Sequence, residues 1–345
     1  MGTIDVIIAI VSYRSAALTI ECLRSIDAER ATPGLSIRAI VVDNDSGDAP
    51  QIAQSIAANS WSSWVTLLTA PRNSGFGYGN NLAIQHAYDV GRPDYFHLLN
   101  PDTLIRRGAV GALARFLEAH PKIGIAGSSF ENADGTDWPI AFRFPSILSE
   151  IESGLQFGFV THILRHWVVP VEMGQKPQPI DWIPGASMMV RPAVFDSIGG
   201  FDENYFLYFE ETDFCFRAKK AGYATWYVPE SRIMHIVGQS TKVTERGVPR
   251  KRLPPYWFES RRRYYVASYG VYYAAAVDVT ALLALTVGSL KRIIQRRNDR
   301  RLPHFIRDLA YFSILRSKNR QLASTKPNVP YFLEKSNFAC TKVVS

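Results

Sequence analysis

The sequence predicts an α/β fold: a Rossmann-like, mixed but mostly parallel sheet flanked by helices, followed by a helical and partly amphipathic C-terminal tail. Three observations carry that expectation. Over the first 130 residues, β-rich apolar runs alternate with helical patterns. Polar clusters fall just beyond the ends of those runs, where such a sheet binds ligands. After residue 255 the chain turns aromatic and basic, then almost uncharged.

The expected strands are Val6 to Val11, Ile37 to Val42, Val65 to Leu68, Tyr95 to Leu99 and Ile123 to Ala126. Between them, Leu18 to Ile26, Gln51 to Ala58, Asn80 to Tyr88 and Arg107 to His120 carry helical patterns. Residues 131 to 180 are irregular and rich in Pro, Gly and aromatics, as a region meeting a variable substrate would be. A second organised block, 181 to 237, holds a helix from about Glu210 to Ala221 and a strand from Thr225 to Val228. From Val266 to Leu290 the only charge is Asp278. That run is long enough to span a bilayer, yet its Asp, Thr and Tyr content and its basic flanks suit a helix lying on anionic lipid. A buried helix is the plain alternative.

With 345 residues, 47% hydrophobic and 20% charged, the chain has room for one large or two fused globular units and is neither disordered nor fibrous. Cys22, Cys215 and Cys340 lie far apart without CxxC spacing, so no disulfide framework or thiolate zinc site is expected and the chain reads as a reduced, cytosol-side protein. Thr3 to Val11 lacks the features of a leader and reads as a buried strand. Of the net charge of +8, much comes from the last hundred residues: Arg246, Arg250, Lys251, Arg252, Arg261 to Arg263, and the basic residues between Lys291 and Arg301. Nucleic acid, anionic lipid or a phosphorylated substrate would each suit that charge.

Five segments carry candidate chemistry. Asp43, with Asn44, Asp45 and Ser46, follows an apolar strand; there a carboxylate accepts from a base or ribose, although alone it reads as an Asx turn or helix cap. The run Asn73-Ser-Gly-Phe-Gly-Tyr-Gly-Asn-Asn81 follows a strand and opens a helix, with glycines that allow close approach to phosphate or ribose. It matches neither GxGxxG nor the P-loop. Asp102 follows Asn100 and Pro101 after Tyr95 to Leu99; one carboxylate suffices to hold a hard divalent cation when substrate phosphates supply the other oxygens, and a Pro-Asp turn is an equal reading. Glu210, Glu211 and Asp213 sit at a helix start, where the macrodipole favours acids. Glu210, Asp213 and Arg217 share one helical face and Glu211 another, so one face at most meets a pocket, where a carboxylate would serve as general base. His235 precedes a polar loop with Gly238, Gln239 and Ser240; a lone histidine is more often structural than a ligand.

In this order, these segments resemble the inverting family 2 glycosyltransferases of GT-A fold, especially the bacterial rhamnosyltransferase-like branch that assembles cell-surface polysaccharides. The resemblance covers about residues 4 to 265. It rests on Val11-Ser-Tyr-Arg14, Val42 to Ser46, Asn73 to Asn81, Leu99-Asn-Pro-Asp102, Trp182-Ile-Pro-Gly-Ala186, Gly199 to Asn204, Glu210 to Arg217 and His235 to Ser240.

The resemblance implies that Ser12, Tyr13, Asp43, Asn73, Gly75, Asn81 and Asn100 line a nucleotide-sugar site. It makes Asp102 the metal-binding end of a DxD-type motif, with His235 beside the metal (Mg²⁺ or Mn²⁺) and diphosphate. Asn100 stands where that motif has its first acid. Glu211 stands where the family commonly has Asp as base, one methylene longer, so Glu210 and Asp213 stay in play. Trp182, Gly185, Asp202 and Arg261 would meet acceptor or diphosphate, and Arg261, Arg262 and Arg263 a diphosphate or lipid headgroup. Residues 1–130 would then be the donor half of the GT-A domain, 131–255 the acceptor half, and 256–345 a region on the membrane surface.

The implied reaction is a single displacement with inversion, moving a sugar from a nucleoside diphosphate donor to a glycan or polyprenyl-diphosphate-linked acceptor. Its place would be the cytoplasmic face of the inner membrane, with no nucleic acid involved; donor sugar, base and oligomeric state stay open. The competing readings are a catalytically weak GT-A scaffold, a nucleotidyltransferase and a basic nucleic-acid-binding protein. Ser12 to Ser15 lacks the glycine-rich basic loop of the second, and no recognised binding motif supports the third.

Overall fold

The computed structural model describes residues 2–132, 135–138, 140–235, 252–296, 302–323, 326–332 and 341–344. Gly238, Gln239, Ser240, Arg246, Arg250, Lys251, Arg297, Arg300, Arg301 and Cys340 lie outside them.

The strands are β1 (Ile4–Ser12), β2 (Leu35–Asp43), β3 (Val65–Thr69), β4 (Tyr95–Leu99), β5 (Thr103–Ile105), β6 (Ile123–Glu131), β7 (Asp137–Trp138), β8 (Gln178–Ile180), β9 (Ser187–Val190), β10 (Ala224–His235) and β11 (Thr341–Val344). The α-helices are α1 (Ala16–Glu29), α2 (Ala49–Ala58), α3 (Phe76–Val90), α4 (Ala109–Ala119), α5 (Ile147–Leu155), α6 (Gly158–Ile163), α7 (Pro192–Ile198), α8 (Glu210–Lys220), α9 (Pro255–Tyr269), α10 (Val271–Ile294), α11 (Phe305–Phe312) and α12 (Ser317–Ala323). One mixed sheet runs β11-β3-β2-β1-β4-β9-β6-β10-β5, with β7 on β6 and β8 on β10.

β1, β2, β3 and β4 are parallel, and Ser12 of β1 pairs with Asp43 of β2, so their carboxyl ends share an edge. β1 and β4 are buried almost throughout because helices cover both faces, which is why they read as unbroken apolar runs. β9 was not anticipated. It runs antiparallel between β4 and β6, and four residues buried on both faces offer no period to read.

β10 is parallel to β6 and antiparallel to β5. Its register shifts between Val228 and Arg232, the stretch holding Pro229, which cannot donate to a ladder; the shift delivers His235 opposite Thr103.

Residues 131–180 are more ordered than the sequence implied. Ser146 and Ser149 form a capping box that starts α5. α5 packs on the small-residue face of α10, where Gly154 meets Ala284 so closely that an added Cβ would lie 2.7 Å from the alanine methyl. α9 and α10 are separate helices broken at Gly270, whose φ of +89° suits glycine. α9 lies against α8, and residues 326–332 return to the sheet layer: Phe332 stacks on Tyr88 at 5.6 Å, and Gly200 donates to the Pro330 carbonyl.

Candidate active site

The site is built at the edge where β1, β2 and β4 end. The buried Ser12 hydroxyl accepts from Thr19 at 2.9 Å and meets Ser15 at 3.2 Å, so it fastens the start of α1. Tyr13 beside it is 40% exposed, with the Arg14 guanidinium 5.3 Å from its ring, and is the member of this pair that presents a surface. Asp43 accepts from the Ser46 N–H and hydroxyl and, through its other oxygen, from Ala49 N–H at 3.0 Å. The Asx-turn and helix-cap reading of that carboxylate is thus realised at the start of α2. Asp48, not singled out from the sequence, accepts from Ser15 and Ala16 N–H and caps α1.

The glycine loop folds back on this turn. Asn44 donates to Asn73 Oδ1 at 3.0 Å and to the Gly75 carbonyl at 3.1 Å. Gly75 has φ +93°, and a Cβ there would sit 1.7 Å from the Phe206 carbonyl oxygen, which accepts the Phe76 N–H. Only glycine fits. Asn81 is placed differently from the expected nucleotide contact. It is buried, donates to the Phe201 carbonyl and Glu203, and accepts from Phe201 N–H, so its whole amide braces α3 against the 199–206 loop.

At the end of β4, Asn100 is half-buried; its N–H donates to the Ala186 carbonyl and its carbonyl accepts from Thr103. Asp102 is 2% exposed and lies 3.2 Å from His235 Nε2. The Asp102 and His235 candidates, 133 residues apart, are brought together. Among the described residues no group of three His, Cys, Asp or Glu gathers to form a complete cage. One carboxylate with one imidazole beside it fits Mg²⁺ or Mn²⁺ held chiefly by substrate phosphates, and does not fit a structural zinc.

The acids of α8 divide as helical phase requires. Asp213 pairs with Arg217 at 2.7 Å, and the same guanidinium donates to the Ile198 and Gly200 carbonyls. Asp213 is therefore committed to holding the 198–200 turn and is withdrawn as a base. Glu211 is partly accessible and its Oε1 accepts the Gly185 N–H at 3.2 Å. Gly185 is wedged between Phe76 and Glu211: an added Cβ would lie 2.5 Å from the ring and 3.4 Å from the Glu211 Cγ.

Glu210 is fully buried, and its Oε2 has no hydrogen-bond partner. Burial first, then the neighbouring Glu211 charge, pushes the Glu210 carboxyl well above the usual range. Burial also raises Glu211, against the lowering effect of its own backbone N–H, the Gly185 N–H and Glu210. Tyr208 and Phe209, at φ +70° and +66°, precede the pair. Two consecutive non-glycine residues in the left-handed region set the direction in which α8 begins, at a cost the packed loop sustains.

Three of the four acceptor candidates act inside the fold. Trp182 stacks on Phe142 at 4.5 Å and donates to the Arg143 carbonyl. Asp202 is 2% exposed and accepts from Arg263 at 2.5 and 2.8 Å and from Asn204 and Asn328 N–H. Arg261 is paired with Asp278 at 2.6 Å and Glu150 at 2.8 Å. Arg262 donates to the Phe312 carbonyl. The arginine triplet thus does not face headgroups. Successive residues point about 100° apart on a helix, and α9 is enclosed by protein, so each guanidinium finds a different internal acceptor.

One chain of contacts joins the two halves: Asp102 lies two residues from Asn100, Asn100 donates to Ala186, and the adjacent Gly185 donates to Glu211. A carboxylate–imidazole pair and a candidate base are therefore linked by one contact path at the carboxyl edge of a mixed α/β sheet, an arrangement suited to a transferase acting on an activated donor.

The chain belongs to glycosyltransferase family 2: residues 4–251 match the family model described as "Glycosyltransferase like family 2". It is 30% identical over 217 residues, 59% of this chain and 68% of the relative, to an N-acetylglucosaminyl-diphospho-decaprenol L-rhamnosyltransferase of Mycobacterium tuberculosis. It is 27% identical over 164 residues, 47% of this chain and 60% of the relative, to the rhamnosyltransferase WbbL of Escherichia coli. In fold it is similar to GalNAc-T7, solved with UDP, GalNAc and Mn²⁺, at TM-score 0.57 and 13% identity over 92% of this chain and 58% of that one. This is the GT-A fold, a mixed and mostly parallel sheet flanked by helices with additional C-terminal helices.

Proposed function

We propose that this glycosyltransferase moves rhamnose, carried by thymidine diphosphate, onto a polyprenyl-diphosphate-linked glycan in cell-surface polysaccharide assembly, with inversion at the anomeric carbon. The relatives' activities support the sugar and the lipid-linked acceptor. The observation that carries the reading is the contact path joining Asp102 and His235 to Gly185 and Glu211.

Asp102, with His235 alongside, holds Mg²⁺ or Mn²⁺, which when bound offsets the negative charge of the donor diphosphate. The loop from Asn73 to Gly75, Tyr13 and the half-buried Asn100 side chain border the donor; Asp43 and Asn81 support that border from beneath. Glu211 takes the proton of the attacking acceptor hydroxyl. Its bond to Gly185 orients the carboxylate, and the low polarity around it keeps its basicity above that of an ordinary glutamate. Glu210, buried without a partner for Oε2 and with its carboxyl pushed well above the usual range, favours the protonated form, so the negative charge of the pair falls on Glu211.

α10 supports placement on the cytoplasmic membrane surface. It is the described helix long and apolar enough to cross a bilayer, yet one face is buried on α5, α9 and α11 and includes the paired Asp278. On its other face Tyr272, Val279, Leu283, Val287, Leu290 and Ile294 are exposed at helical spacing, with Lys291 and Arg292 in the last turn. One face packed on protein around a buried ion pair and an apolar face outward support a helix lying on the membrane surface.

The test is thermal stability with UDP, GDP, dTDP and AMP, each with and without Mn²⁺. At a hundred-fold excess over Kd, binding stabilises by about 2.7 kcal/mol. A shift with dTDP that needs Mn²⁺ is expected; equal shifts with and without metal, or none, defeat the reading.

A further inference from the structure

A cavity of about 590 Å³ lies between α5, α9 and α10, outside the catalytic cleft. We propose that it houses the first isoprenoid units of the acceptor's lipid carrier, a reading that rests on the lipid-linked acceptor proposed above.

Its position comes first. Phe209 forms part of the wall and immediately precedes the Glu210–Glu211 pair, so the cavity end at Phe209 is one or two residues, about 4–8 Å of backbone, from the base. An acceptor whose chain fills the cavity presents its sugar end towards that pair.

Its chemistry excludes a free anion as the main occupant. The walls are largely apolar: Phe209, Trp257, Leu285, Leu302 and Phe305. The buried ions leave no spare positive charge, because the one Arg261 guanidinium bonds both Glu150 and Asp278, and Tyr265 donates to Glu150 at 2.9 Å. Burial acts to lower the Arg261 pKa, but the two carboxylates outweigh it and keep the guanidinium charged and occupied. A diphosphate brought inside would compete with Glu150 for that cation; an uncharged chain would not. The volume falls within the roughly 300–1,000 Å³ of small-ligand sites.

The rim supplies the complement. Lys291 and Arg292 follow the apolar run of α10, Arg292 at the cavity edge with Ser153, and both donate to Gln156. These cations border the mouth from which the tail emerges, where an anionic headgroup layer would meet the protein. Leu285 faces the cavity, while Leu283 and Val287, two positions away on either side, are exposed on the lipid-facing stripe. A chain leaving the cavity beside α10 therefore meets apolar surface continuous with a bilayer.

The test uses the full chain and two bulky substitutions, Ser153→Trp at the exposed rim and Leu285→Trp in the wall. Calorimetry follows binding of farnesyl diphosphate, farnesol and inorganic diphosphate; kinetics follow acceptors with lipid chains of stepped length. Wild type should bind farnesyl diphosphate and farnesol saturably, and its acceptor KM should fall as the chain lengthens. Ser153→Trp should weaken farnesyl diphosphate binding at least tenfold and flatten the chain-length dependence, with Mn²⁺-dependent dTDP binding unchanged. Should Leu285→Trp fail to fold, the rim variant decides alone. Binding of inorganic diphosphate as tight as that of farnesyl diphosphate, or a chain-length dependence that survives in Ser153→Trp, overturns the cavity assignment and leaves the lipid-linked acceptor standing. Equal kcat/KM on a lipid-free glycan sinks the lipid-linked acceptor itself, and the cavity assignment with it.

Discussion

Replacing Glu211 by Gln removes the proposed base while changing little else. The amide oxygen can still accept the Gly185 N–H that Glu211 Oε1 now accepts at 3.2 Å, and the volume is the same, so α8 and the Gly185 turn should keep their places. What is lost is the ability to take the acceptor proton, worth about 10²–10⁴ in rate, or roughly 3–5 kcal/mol of barrier. The pH profile adds an independent signature. Because burial raises the Glu211 pKa, the acidic limb of wild-type kcat/KM should lie above the usual glutamate value, and that limb should vanish in the residual activity of the variant. The assay is release of nucleoside diphosphate in the presence of lipid-linked acceptor, corrected for donor hydrolysis without acceptor. A Glu211→Gln enzyme that is folded, binds dTDP with Mn²⁺ and turns over within about threefold of wild type would refute the assignment. Glu210 would then be the remaining carboxylate of the pair, since Asp213 is held by Arg217.

Four further outcomes follow from the same geometry. Asp102→Asn keeps a partner for His235 but not the charge, so the Mn²⁺-dependent part of the dTDP thermal shift should disappear while the Tm without ligand stays within a few degrees; a retained metal-dependent shift would place the cation elsewhere. Glu210→Gln should raise stability at pH 8 and have little effect below pH 4.5, because a carboxyl whose folded pKa is raised favours folding at low pH and loses that advantage as pH climbs from its unfolded value towards the folded one; denaturant midpoints at both pH values measure it. Gly75→Ala should cost about 2–5 kcal/mol, since its Cβ would meet the Phe206 carbonyl oxygen at 1.7 Å in a left-handed backbone, and a midpoint unchanged in urea would show that the loop is not so constrained. Arg263→Leu strips the buried Asp202 of its cation and should cost about 3–5 kcal/mol, whereas the double variant with Asp202→Asn should recover part of that loss.

Much of the first 130 residues was readable because its signals are local. A buried strand announces itself as an apolar run and its ligand edge as the polar residues that follow, so β1 to β4 and the turns after β1, β2 and β4 were found in the text. The sheet's antiparallel insert was not, because Ser187 to Val190 is short and buried on both sides. Proximity was also hidden. Nothing in the spacing of Asp102 and His235 says that a register shift in β10 brings them within 3.2 Å. Residue type did not reveal local structural work: Asp43, Asn81 and Asp202 are polar residues whose hydrogen bonds close turns, because a buried turn must satisfy its backbone groups.

The arginine triplet shows why charge along a chain is a poor guide to charge in space. Arg261, Arg262 and Arg263 look like a headgroup site, yet all three are at most 5% exposed and donate to acceptors inside the fold: Asp278 and Glu150, the Phe312 carbonyl, and Asp202. Their partners come from α5, α10, the end of α11 and the 199–206 loop. The triplet therefore ties the C-terminal helices to the loop that leads into α8, and so to the position of Glu211. The exposed apolar face belongs to α10, whose sequence is almost uncharged. Under the proposed membrane placement, a displacement of α10 would reach α9 through Arg261 and Asp278 and, through Arg263 and Asp202, the loop before α8. On that path, weakening the Arg261–Asp278 contact should loosen the coupling between vesicle binding and turnover before it abolishes either one.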